Sequence, residues 1–146
     1  MKRRLIPLLT LLVLALSATA VSAAGRPAKI KLSGSSLGKI LVNGSGATVY
    51  MFTKDGRNKD KCQSISGCTS IWPPVTTHGK PIAGPGINKR LLGTIKIAHG
   101  AKQVTYAGHA LYTYTGDFGP AQTSYVGAMQ FGGTWFALNA AGKKVG

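Results

Sequence analysis

Two aspartates of this chain stand in the same setting. Tyr50, Phe52 and Asp55 read Y-x-aromatic-x-x-D, and Tyr112, Tyr114 and Asp117 repeat that pattern 62 residues later. Trp72 follows its aspartate by 17 residues and Trp135 by 18. Such a set is open to three uses. Two symmetric carboxylates lining one cleft could act as acid and base, which requires each to reach the reacting group by a hydrogen bond. An aspartate at a strand end can instead accept backbone N–H bonds and close a turn, or accept from a tyrosine hydroxyl of its own or the other unit. The third use is contact with a ligand. Because both copies carry the same residue types, architecture is the expected role, and no catalytic residue is assigned.

The remaining reactive side chains add little chemistry. His99 and His109 lie in or beside turns next to Gly100 and Gly108, and His78 precedes Gly79 in a Pro-rich connection. All three are expected as exposed turn residues. Two of them with an aspartate could bind a metal, but no H-x-x-x-H or H-E-x-x-H spacing supports this, and neither metal nor cofactor is expected. Met51 and Met129 read as core filler rather than copper ligands. The chain contains no P-loop or dinucleotide fingerprint. Two alternatives remain beside a non-catalytic reading. One is a small secreted enzyme or metal or redox protein using the Asp and Tyr pairs. The other is a small-molecule binder with an aromatic cleft between the units.

The elements that must position these residues are strands. Residues 1–23 are set aside first. Lys2-Arg3-Arg4, an apolar run from Leu5 to Leu16 and the small residues up to Ala24 have the three parts of a secretory signal peptide. The apolar run, roughly twelve residues, is short of the ~20 a membrane span needs. Cleavage is expected after Ala23, within the window from Ala20 to Ala24. The rest, 24–146, reads as one β domain with no second run able to span a bilayer. Cys62 and Cys68 are the only cysteines, and in an exported chain such a pair reads as one disulfide. A C-x5-C spacing is neither the C-x-x-C of oxidoreductases nor, alone, a zinc site.

Apolar residues come in short runs broken by Gly, Asn and Ser. Ile30 and Leu32 alternate with Lys29 and Lys31 as in a strand. Ile40–Val42 meets Thr48–Phe52 across Asn43-Gly44-Ser45-Gly46, a hairpin signal. Thr94–Ile97, Gln103–Tyr106 and Ala110–Tyr114 predict three strands in meander order, and Trp135–Leu138 with Lys143–Val145 ends the chain. Leu37-Gly38-Lys39-Ile40 echoes Leu92-Gly93-Thr94-Ile95. The expected fold is therefore all-β: a small single domain of two pseudo-repeated antiparallel β-meander units, 37–75 and 92–138, sandwich or barrel-like. Alternation puts Tyr50 with Phe52, and Tyr112 with Tyr114, on one face. Val49, Met51, Leu111 and Thr113 face the other way. Each aromatic pair is expected to meet its returning tryptophan, Trp72 or Trp135, with ring pairs adding about 0.5–1.5 kcal/mol each.

The doubled motif, the Leu-Gly-x-Ile lead, Cys68-x-x-x-Trp72-Pro73-Pro74 and Gly108-His109-Ala110-Leu111-Tyr112 together resemble a bacterial secreted repeat family. It is also described as a Y-x-[FWY]-x-x-D lipoprotein family. The resemblance covers roughly residues 37–142 and implies a secreted or envelope location, but no particular activity. The chain lacks the lipidated cysteine that many relatives carry, so it is not read as a lipoprotein.

Charge supplies the remaining expectation. Lys and Arg number 18 against three acids, Asp55, Asp60 and Asp117, giving a net charge of +15. Without residues 1–23, which hold three cations and no acid, +12 remains. Lys54, Arg57, Lys59 and Lys61 crowd the loop after the first motif, and the other cations are scattered. Such an excess produces a positive field over much of the surface. The expected partners outside a cell are anionic cell-wall polymers or an acidic lipid surface, bound in a salt-sensitive way. Aromatics could stack on single strands, but alternation turns them inward, so nucleic acid is not an expected partner. No oligomeric state is assigned.

Overall fold

The computed structural model describes residues 25–146. The expected signal peptide, residues 1–23, lies outside them. The described chain is all-β apart from one short helix and three 3-10 turns. β1 (Lys29–Ser35) follows the Lys/Ile alternation, burying Ile30 and exposing Lys29. It pairs antiparallel with β2 (Gly38–Asn43), Ile30 opposite Asn43 and Ser35 opposite Gly38. β3 is Tyr50–Phe52, α1 is Cys68–Ile71, β4 is Thr76–Thr77 and β5 is Ile82–Ala83. β6 (Leu92–Lys96), β7 (Lys102–Tyr106) and β8 (His109–Ala110) form the expected meander, its third strand cut to two residues. β9 (Met129–Gln130), β10 (Gly133–Leu138) and β11 (Lys144–Val145) complete the chain.

The strands form three small sheets, ordered β2-β1-β5, β11-β10-β3 with β9 also on β10, and β4-β7-β6 with β8 also on β7. Pairing is antiparallel except for β1 with β5. Among the described residues no sheet closes into a barrel. The pairing crosses between the repeats. β3 of the first pairs with β10 of the second, Phe52 opposite Trp135 and Tyr50 opposite Ala137. β4 of the first pairs with β7 of the second.

The Asn43–Gly46 turn forms as the sequence suggests, with Asn43 Oδ1 accepting the N–H groups of Ser45 (3.1 Å) and Ala47 (3.0 Å). The hairpin beyond it is shorter than expected. Val42 bridges Thr48, and the chain then leaves β2. The cause is burial. All three residues of β3 are buried, and buried backbone groups must be paired on both strand edges. β10 serves one edge. On the other, Tyr50 N–H donates to Tyr112 O (2.8 Å) and Tyr112 N–H donates to Tyr50 O (3.0 Å).

β3 therefore separates two cores. Val49 and Met51 join Ile30, Leu41, Val104, Leu111 and Leu138 in an aliphatic core. Tyr50 and Phe52 join both tryptophans, Tyr112 and both cysteines in an aromatic one. Met51 is core filler as expected, but Met129 is 82% exposed: it sits on β9, which has β10 to pair with but no layer above it.

Candidate functional site

The aromatic core is a column of rings drawn from both repeats. Phe52 stacks on Trp135 (centroids 4.1 Å, planes 9° apart), and Trp135 stacks on Trp72 (4.0 Å, 2°). Trp72 lies against Tyr114 (4.5 Å), and Tyr114 against Tyr125 (3.8 Å). Tyr50 meets Trp72 edge-on and Tyr112 meets Trp135 edge-on, each at 5.1 Å. Exchanging the repeats maps the two Tyr–Trp edge contacts onto each other and Phe52–Trp135 onto the more tilted Trp72–Tyr114, about the point where Tyr50 and Tyr112 share two backbone hydrogen bonds; Tyr114–Tyr125 has no counterpart. Each tryptophan meets its own repeat's tyrosine by an edge and also touches the other repeat's second aromatic, Trp135 stacked on Phe52 and Trp72 tilted 41° against Tyr114. The two indoles lie in direct contact, so the protein's own rings fill the space that a flat ligand would need between the units.

The aspartates join the halves in the same crossed manner. Tyr50 Oη donates to Asp117 Oδ2 and Tyr112 Oη donates to Asp55 Oδ2, both at 2.8 Å. Each carboxylate follows a matching turn, with Asp55 N–H donating to Phe52 O (3.1 Å) and Asp117 N–H to Tyr114 O (3.2 Å). Asp55 Oδ1 also accepts Lys61 N–H at 2.7 Å. Asp117 Oδ1 is buried without a partner. Burial pushes the Asp55 carboxyl up to about 6, outweighing the opposing pull of the Lys61 and Tyr112 hydrogen bonds. Asp117 shifts the same way, chiefly by burial, against the Tyr50 hydrogen bond. Burial first, and the neighbouring carboxylates second, hold the Tyr50 and Tyr112 phenols above their ordinary range, so both act as donors.

Asp117 borders an open surface groove of about 330 Å³ with Ser45, Ala47, Phe118, Gly119 and Pro120, none of which titrates. Among the described residues no three His, Cys, Asp or Glu side chains are placed to hold a metal ion. His78 and His99 are exposed as expected. His109 is not a turn residue: it lies half-buried in β8 opposite Tyr106. Burial and then the Arg57 charge push its imidazole below the ordinary value. The hairpin register decides this, since Ala107 and Gly108, both at positive φ, take the turn themselves.

Three further participants carry no motif that could have marked them. Tyr125 ends the ring column, and Gln130 Oε1 accepts the Trp72 indole N–H at 2.8 Å. Gln122 gives its carbonyl to Thr48 Oγ1 at 2.6 Å, and its side-chain oxygen accepts the N–H groups of Phe118 and Gly119. All three are brought in from across the fold by tertiary packing. The cysteines form a disulfide, Cys62–Cys68. Both are fully buried against the aromatic core, and they close the short loop 62–68 that directly follows Lys59 and Lys61.

The cations are less evenly scattered than the composition suggests. Residues 103–142 contain no Lys or Arg. The segment after Asp117, which matches the Lys-rich loop after Asp55, is uncharged from 118 to 131 and exposes Phe118 at 92%. The shared skeleton of tyrosine, aspartate and tryptophan thus carries two very different outer surfaces.

No curated protein and no solved structure matches the chain. A family described as a secreted repeat of unknown function matches it twice, over residues 31–76 and 93–139. The two matched stretches contain the two Tyr–Asp–Trp sets that interlock in the core, and together they cover well over half of the sequence; the chain belongs to this family of secreted repeats.

Proposed function

We propose that this is a non-catalytic extracellular or envelope protein that associates electrostatically with anionic cell-surface polymers. One observation carries the reading: the three acids are half-buried and hydrogen-bonded, whereas all the described cations but Lys31 are exposed. Asp55 and Asp117 are half-buried and accept tyrosine hydroxyls. Asp60 is also half-buried, and its Oδ1 accepts Gln63 N–H at 2.9 Å. Arg57, Lys59, Lys61, Lys80, Lys89, Arg90, Lys96 and Lys102 are all exposed. A surface with many exposed cations and only a few, already engaged anions attracts polyanions over about a Debye length, ~10 Å at 0.1 M salt. Each motif carboxylate is already engaged by a phenol and sits at a repeat junction, which favours architecture over acid–base work.

The test is retention of the purified protein on isolated cell-wall material and on anionic-lipid vesicles across a salt series. Strong retention at low salt that falls steeply as salt rises is expected. No retention at low salt, or retention indifferent to high salt, overturns the reading.

A further inference from the structure

The basic loop of the first repeat does not project alone. It forms one wall of a groove of about 560 Å³ whose other wall is the end of β6 and the turn beyond it. Lys59 and Lys61 stand on the first wall and Lys96 on the second, so an occupant would meet ammonium groups from both sides. Asn58, Gln63 and Ser64 add neutral polar groups, Asp60 adds one carboxylate whose Oδ1 already accepts Gln63 N–H (2.9 Å), leaving the cations in excess, and Ile95 with Ile97 supplies apolar surface. The first wall is held in place. Asn58 N–H donates to Gly108 O (2.8 Å), Lys61 N–H to Asp55 Oδ1 (2.7 Å) and Ser64 Oγ to Lys61 O (2.9 Å), and the Cys62–Cys68 disulfide ties down the residues that follow Lys61. A wall fixed in advance lowers the ordering cost of binding.

We infer that this groove seats a single chain of a polyol-phosphate polymer, its phosphates between Lys59, Lys61 and Lys96 and its carbon backbone against Ile95 and Ile97. The inference deepens the electrostatic reading above and rests on it. Three features select the occupant. Lysine serves phosphate as a point charge. The amide and hydroxyl groups between the lysines match the hydroxyls of a polyol. A concave site with cations on two walls accepts a thread, whereas a lipid surface can meet only the rims. The second repeat offers no equivalent, because its matching loop holds no cation, so one site per chain is expected.

Binding of fluorescently labelled poly(glycerol phosphate), read by anisotropy across a salt series, tests this. The variant K59Q/K61Q/K96Q is expected to lose roughly tenfold or more in affinity at low salt. Its log–log salt dependence should flatten by about two, the slope for three lost contacts on a single-stranded polyanion. The control K80Q/K89Q/K143Q removes the same charge outside the groove and is expected to lose far less. In the wild-type protein, amide shifts on titration should concentrate at residues 58–64 and 95–98, a measurement independent of any variant. Equal losses in both variants, or shifts spread over the surface, overturn the groove while leaving the electrostatic reading standing. No binding by the wild-type chain at low salt overturns both. Tighter binding of anionic vesicles or single-stranded DNA through the same three lysines overturns the polyol-phosphate assignment.

Discussion

Asp55 shows how one side chain can be structural and still titrate. Its two hydrogen bonds favour the carboxylate, yet burial wins and lifts the carboxyl to about 6 from the usual ~3.9. The folded chain therefore holds a proton that the unfolded chain releases. Stability from this group is fully present below about pH 4, declines as the unfolded state ionises, and is lost once pH passes about 6. Asp55→Asn has no such proton. The melting temperature of the wild-type protein relative to Asp55→Asn is thus expected to fall between about pH 4 and pH 6 and then level off. Thermal melts of both proteins from acidic to neutral pH check this, and a difference that is constant or rises with pH would sink it. Asp117 shifts in the same direction, so the variant should keep a smaller decline of its own. The twin motif announced that these aspartates matter. It did not announce that each serves the other repeat's tyrosine, because sequence spacing measures distance along a chain and not across a sheet.

At the scale of elements, the short strands were legible wherever alternation was clean, as in β1 and the β6–β8 meander. They were misjudged where burial on both faces erased the alternation. Tyr50–Phe52 is such a stretch, and its partner is β10, more than eighty residues away in sequence, rather than β2. The contact between these two strands is close. A Cβ at Gly133 would come 2.5 Å from the Phe52 ring, the ring that stacks on Trp135. Gly133→Ala must displace that ring or bend the strand, and overpacking of this kind costs about 1–3 kcal/mol. Urea denaturation is expected to show that loss. A neutral result would mean that the Phe52–Trp135 stack tolerates movement and is not a fixed joint.

For the whole molecule, the crossed pairing makes the two repeats one folding unit. β3 needs β10, β7 needs β4, and both Tyr–Asp bonds join one repeat to the other. A half chain would expose the stacked tryptophans and leave strand edges unpaired. Residues 25–91 and 92–146 expressed separately are each expected to give disordered amide spectra. A well-dispersed spectrum from either half alone would show that the repeats are autonomous. The uncharged loop of the second repeat and the cationic loop of the first follow from the same arrangement. The shared skeleton fixes the interior, and the loops outside it are left free to differ.

By itself the sequence determined the all-β class, the duplication, the disulfide, the inward face of the motif aromatics and the excess of positive charge. Each of these is a property of residue type and short-range spacing, and period-two alternation, turn chemistry and composition are all local. Only the tertiary structure decided that the carboxylates exchange partners between repeats, that the indoles stack face to face, that His109 lies in a strand, and that cations from both repeats border one groove. Those facts depend on which edge a fully buried strand finds to satisfy its backbone, and that is settled by packing among distant segments rather than by any neighbour in the chain.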